Sequence, residues 1–281
     1  MRIKAKIHGM NDFFRKNPNK KNLSIVNVIS MDQPSQSGDK FESFTNCINN
    51  LNKKHGVKKL VIILTDFLQR HYVGLNTQLS PNEIKKLAIE KGSHWVKNNR
   101  KALTFQLDIK IDFQIVYWDN VIGKKDYKDA FAKVSHLYQT DAAFRGIVDE
   151  LSKSYADKLL YRHKEIANPP NFESCFDAAK NYLLEESAIW GPLLKQDLDF
   201  ITYPGGKNKA VEYTYNHLFQ SAEHSLPWLK YSFEKRHSAF SVLSGKLAHR
   251  VRSMDTFFFS KCRERWGDLK SNSYGDRRYT R

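Results

Sequence analysis

Two apolar runs dominate the first quarter of the chain, Leu23–Ile29 and residues 60–64 (LVIIL). Runs this short and this continuous predict strands covered on both faces. Between them come a turn-rich stretch, residues 33–38, and an amphipathic segment, residues 40–52, that closes on Lys53, Lys54, His55 and Gly56. Ser80 stands three residues before Glu83, with Pro81 between them, the pattern of a capping box with proline at the first helical position. It predicts a helix running to about residue 101. Residues 105–111 and 113–118 read as further strands. Strand and helix alternating in this way predict an α/β fold, a Rossmann-like parallel sheet flanked by helices.

The second half reads as mostly helical, over residues 125–137, 141–163 and 172–190. A short strand over 197–202 then runs into Tyr203-Pro204-Gly205-Gly206, where Pro and Gly enforce a turn. Another helix is expected near Asn208. The expected organisation is a basic N-terminal extension over 1–21, one catalytic domain over 22–240, and a basic, aromatic C-terminal extension over 241–281.

Charge changes the picture more than hydropathy does. The chain of 281 residues carries a net charge of +16, with a pI near 9.6, which favours a polyanionic partner, nucleic acid first. No apolar run reaches the roughly 20 residues of a spanning helix, and no membrane partner is expected. Three widely spaced cysteines, Cys47, Cys175 and Cys262, suggest neither a disulfide framework nor a zinc site and fit a reducing cytoplasm. No Gly-x-Gly-x-x-Gly or P-loop follows the first apolar run, which argues against dinucleotide and ATP binding of the familiar kinds. No Gly-x-Ser-x-Gly elbow surrounds Ser30. A cytoplasmic monomer without metal or cofactor is the expectation.

Ser30 ends the first predicted strand, where parallel sheets place their ligands. It reads either as a turn cap or as a reactive group. On the helix over 172–190, Cys175, Ala179, Tyr182, Glu186 and Ile189 are spaced four, three, four and three apart and share one face. Glu186 is thereby aimed inward, where a carboxylate needs a cation or a role. It is either one half of an internal salt bridge or the receiver of a substrate ammonium, with Tyr182 one turn away. Tyr203 is either packing or a functional phenol.

Taken in order, these features resemble the cyclodipeptide synthases: VISMDQP at residues 28–34, YLLEE at 182–186, and ITYPGG at 201–206. Asp66-Phe67-Leu68-Gln69-Arg70-His71 and Trp118-Asp119 are similar to the family as well, and the resemblance spans about residues 22–240. Gln33 and Pro204 stand where one subfamily has Asn and His, which looks like the other group, named XYP. The resemblance implies a domain akin to the catalytic domains of class Ic aminoacyl-tRNA synthetases, without their ATP signatures. It implies an aminoacyltransferase that joins amino acids from two aminoacyl-tRNAs into a cyclic dipeptide, a diketopiperazine of secondary metabolism. The route is ping-pong, through an aminoacyl-serine and a dipeptidyl-serine.

In that scheme Ser30 is the nucleophile, Tyr182 and Glu186 hold the first ammonium, and Tyr203 orients or relays a proton. Val26 and Val28, on the Ser30 face of their strand, join Ile189 as the expected lining of the side-chain pocket. Lys85, Lys86, Lys91, Lys97, Arg100 and Lys101 correspond to the family's tRNA-binding helix, and otherwise read as a solvated face. A transferase to another acceptor and a non-catalytic tRNA-binding protein are the competing readings.

Overall fold

The computed structural model of the chain describes residues 2–31, 33–75, 79–165, 169–220 and 226–236. The strands are β1 (Arg2–Ile7), β2 (Leu23–Ile29), β3 (Val57–Leu64), β4 (Asp112–Tyr117), β5 (Phe200–Tyr203) and β6 (Trp228–Arg236). The α-helices are α1 (Met10–Lys16), α2 (Gly38–His55), α3 (Arg70–Val73), α4 (Pro81–Lys101), α5 (Trp118–Ile122), α6 (Lys125–Thr140), α7 (Ala142–His163), α8 (Phe172–Ser187), α9 (Trp190–Leu194) and α10 (Lys209–Thr214). They build one six-stranded sheet in the order β1-β6-β5-β2-β3-β4. All neighbouring strands are parallel except β1, which runs antiparallel to β6. This is the Rossmann-like sheet with flanking helices that the sequence predicts, and its second half is helical as expected.

β2 is buried along its whole length because each face meets its own core. Val26 and Val28 point to one side, with Val61, Ile63, Trp118, Val134, Phe144, Tyr182 and Trp190. Ile25 and Ile29 point to the other, with Leu60, Ile62, Phe41, Phe44 and Trp95. Alternation of side chains along a strand does the sorting. α4 starts on the predicted capping box: Glu83 N–H donates to Ser80 Oγ, and Ser80 N–H to the Glu83 carboxylate at 2.8 Å.

Two expectations about elements change. Residues 105–111 do not form a strand. The chain winds on from α4 through a wide helical turn, Ala102–Gln106. The Asn49 side chain of α2 then satisfies this stretch, donating to Gln106 O at 2.5 Å and accepting from Asp108 N–H at 2.9 Å. Phe105 and Ile109 are left 80% and 98% exposed, so their β propensity is never used. The first residues are also no loose extension. β1 buries Ala5 and Ile7 and keeps Lys4 and Lys6 outside, and Ala5 N–H donates to Ser43 Oγ at 2.6 Å. The proposed extension over 241–281, with Cys262, lies outside the described residues. No helix among the described residues is long and apolar enough to cross a membrane.

Candidate active site

Ser30 follows β2 directly and Tyr203 closes β5, so both stand at the carboxyl ends of adjacent parallel strands. The strand order also reverses here: β3 and β4 lie on one side of β2, β5 and β6 on the other. Such a switch point opens a crevice beyond the strand ends, the usual ligand position of open α/β sheets. The Ser30 hydroxyl lies beside the Tyr203 phenol. Burial, then the charge of Glu186, holds the Tyr203 phenol well above its usual range; the Ser30 hydroxyl beside it offsets this only in part.

α8 brings the second half of the site. Asn171 caps it, accepting from Ser174 N–H at 2.8 Å. Cys175, Ala179 and Tyr182 are buried on the predicted face, and Ile189 is buried just past the helix end. Tyr182 stacks on Tyr72 of α3, with ring centres 4.9 Å apart. Glu186 is partly accessible, and among the described residues it has no Lys or Arg partner. Its Oε2 accepts from Asn208 Nδ2 at 2.8 Å, while Asn208 Oδ1 caps α10 by accepting from Val211 N–H at 2.8 Å. Burial pushes the Glu186 carboxyl up to about 7, against the pull of Asn208. Tyr155 of α7 completes the group: burial, then the charge of Glu186, pushes its phenol up to about 12. Ser30, Tyr203, Glu186 and Tyr155 are thus neighbours in one electrostatic group. Val26, Val28 and Ile189 lie in the same apolar cluster as Tyr182 and are nearly fully buried.

Sequence reasoning missed the neighbouring carboxylate. Glu185 is buried and gathers the family-like segments around itself. Arg70 grips both of its oxygens, His71 Nε2 lies 2.9 Å from Oε2, and Trp118 Nε1 donates to Oε1 at 2.7 Å. Tyr127 donates to the Glu185 carbonyl at 3.0 Å. Burial would raise the Glu185 carboxyl, but the hydrogen bonds from His71 and Arg70 outweigh it and hold it below its ordinary value. The internal salt bridge considered for Glu186 therefore falls one residue earlier. Asp66 belongs to this scaffold too, accepting from Trp118 N–H at 2.9 Å, and burial raises its carboxyl. Nothing in the pattern around Tyr155 or Asn208 marked them, beyond the position of Asn208 ahead of a predicted helix.

α4 buries Ala88, Gly92, Trp95 and Asn99 and turns Lys85, Lys86, Lys97, Arg100 and Lys101 to solvent, with Lys91 half-buried. Lys85 also lies over the Phe67 ring at 5.7 Å. Trp95 fixes the helix to the sheet: it meets Phe41 edge to face at 4.9 Å and donates from Nε1 to Gln36 O at 2.9 Å.

The fold defines a Rossmann-like α/β protein with a serine, Ser30, at the switch point of its sheet. Its structural neighbours are cyclodipeptide synthases. One from Fluoribacter dumoffii is 25% identical, with a TM-score of 0.70 over 84% of this chain and 99% of that one. Another, from Candidatus Glomeribacter gigasporarum, bound to Phe-tRNAPhe, is 25% identical, with a TM-score of 0.65 over 89% and 98%. The fold extends to a Mycobacterium tuberculosis protein described as showing that this group is related to type I tRNA synthetases, at 10% identity and a TM-score of 0.50 over 82% and 91%. No protein-family model and no curated protein sequence matches the chain.

Proposed function

We propose that this protein is a cyclodipeptide synthase that takes its amino acids from two aminoacyl-tRNAs. The observation that carries the proposal is the placing of Ser30 and Tyr203 at the ends of adjacent parallel strands at the switch point, with the Glu186 carboxyl near the phenol. Ser30 Oγ attacks the ester carbonyl of the first aminoacyl-tRNA, and the tRNA hydroxyl departs with a proton. One ester replaces another, so the step is near thermoneutral. The free amine of the aminoacyl-serine then attacks the second aminoacyl-tRNA ester, releasing that tRNA and leaving a dipeptidyl-serine. Its terminal amine attacks the seryl carbonyl, closes the ring and returns the proton to Ser30. Two esters become two amides, which drives the sequence.

Each residue has a part set by its surroundings. The Tyr203 phenol stays neutral, so it hydrogen-bonds and relays rather than acting as a phenolate base. Glu186 receives the ammonium of the first substrate with Tyr182, and a carboxyl near 7 is matched to taking the proton that the amine must lose before it attacks. Val26, Val28 and Ile189 line the pocket for the first side chain. The exposed cations of α4 hold tRNA phosphates.

Mass spectrometry of extracts from cells expressing the protein tests the proposal. Cyclic dipeptides absent from control cells support it. A linear or conjugated product points to transfer to another acceptor, and tRNA binding without any product points to a binding protein.

A further inference from the structure

β5 pairs with β2 only as far as Asn27, so the edge of β2 leading to Ser30 has no strand beside it. That edge is not left open. Gln36, wholly buried, lays its side-chain amide along it: Nε2 donates to Val28 O at 2.6 Å, and Oε1 accepts from Ser30 N–H at 2.9 Å. These are the two groups that a longer β5 would have paired, on the edge where Asp199 N–H already meets Ser24 O at 2.8 Å. Only one orientation of the amide serves both, since donor and acceptor face a carbonyl and an N–H. Gln36 is itself pinned by the Trp95 indole on its carbonyl, and Gln33 N–H donates to Ser30 O at 3.1 Å.

We propose that Gln36 is the positioning residue of the nucleophile, a side chain that stands in for a strand and fixes the backbone at Ser30. The inference rests on the reading of Ser30 as nucleophile. The crevice needs β5 to stop short so that Tyr203 can turn its phenol to Ser30. The same shortness leaves the serine's backbone unpaired, and the amide restores the pairing without lengthening the strand. Misplacing an attacking atom by about 1 Å can cost on the order of a hundredfold in rate, so the fixing matters for chemistry more than for binding.

The test uses the full chain and bulk tRNA charged with a radiolabelled amino-acid mixture, following covalent label on the protein in a single turnover. Gln36→Met fills the same space without either hydrogen bond. Its labelling rate at saturating tRNA should fall at least about tenfold, with the half-saturating tRNA concentration unchanged. Gln36→Glu supplies the rescue. A protonated carboxyl donates to Val28 O and accepts from Ser30 N–H just as the amide does, whereas a carboxylate opposes the Val28 carbonyl.

Burial raises a carboxyl, so labelling by Gln36→Glu, relative to wild type at each pH, should recover as pH falls from about 8 to 6. The titratable group facing Gln36 is the Tyr231 phenol on β6, which burial holds above its usual range and which stays neutral throughout. The Tyr203 phenol beside Ser30 does the same. Glu186, which burial pushes up to about 7, is present in both proteins, so its effect divides out of the ratio. Should Gln36→Met not fold, the pH profile of Gln36→Glu decides alone. Wild-type labelling rates in Gln36→Met at saturation, or a flat ratio in Gln36→Glu, overturn the inference while leaving Ser30 as nucleophile. Equal labelling of wild type and Ser30→Ala overturns the reading of Ser30 and the inference with it.

Discussion

Glu185 and Glu186 are consecutive on α8, and their carboxyls are shifted in opposite directions. Arg70, His71 and Trp118 hold Glu185 as a carboxylate, whereas Glu186, which among the described residues has the Asn208 amide as its hydrogen-bond partner, is pushed up to about 7 by burial. The first belongs to the scaffold and the second to the site.

Glu186 should therefore make the protein less stable as pH rises. In the folded state it binds its proton more tightly than in the unfolded chain, so stability is greatest below the ordinary value of 4.5 and falls as pH climbs toward about 7. The full effect is at most on the order of 3 kcal/mol, reduced by the accessibility the residue retains. Melting curves of wild type should show this decline between about pH 4.5 and 7, and Glu186→Gln should remove it. The same variant should lose most of its labelling by aminoacyl-tRNA. A variant that labels normally would assign Glu186 to structure.

Glu185 should behave the other way. Its folded-state value is depressed, so its contribution is complete above the ordinary value and is lost as pH falls through the folded one. Removing one partner of a buried pair costs about 3–5 kcal/mol. Arg70→Met should lower stability to urea by an amount in that range at pH 7. A loss below about 1 kcal/mol, the scale of an exposed pair, would show that the network is dispensable.

Tyr203→Phe separates the phenol from its ring. The ring packs against Trp228, with centres 5.7 Å apart, so stability should change little. Labelling of Ser30 should slow, since its hydroxyl loses the phenol beside it. Unchanged labelling kinetics would remove Tyr203 from the relay.

Replacing Lys97, Arg100 and Lys101 together by alanine should weaken tRNA binding without slowing chemistry at saturation. Each lost phosphate contact lowers the log–log salt slope by roughly 0.7–0.9. Fluorescence binding titrations at several salt concentrations measure it, and an unchanged slope would place the tRNA surface elsewhere.

The sheet centre was legible because its strands are buried on both faces and so read as nearly continuous apolar runs, broken in β2 only by Ser24 and Asn27. α4 was legible because its cap is local chemistry: Ser80, Pro81 and Glu83 sit within one turn. β1 and β6 carry a weaker signal. Ala5 and Ile7 alternate with lysines, as Leu229, Tyr231 and Phe233 alternate with Lys230, Ser232 and Glu234. Two such segments at opposite ends of the chain gain meaning only once paired. At the site, the Glu186 face followed from helical spacing, but its partner did not. Tyr155, Asn208 and Gln36 reach the crevice from three separate elements, and only the packing of those elements brings them there. Adjacent glutamates stand about 100° apart on a helix, and spacing alone does not say which of the two faces meets Arg70.

The central claim is that Ser30 carries the amino acid. Wild type and Ser30→Ala should each be incubated with radiolabelled aminoacyl-tRNA, quenched in acid and separated under denaturing conditions. Wild type should retain label in an alkali-labile ester on the peptide containing Ser30, and Ser30→Ala should retain none while keeping wild-type melting behaviour. Label of equal intensity on both proteins, or cyclic dipeptide formation by Ser30→Ala, would contradict the account.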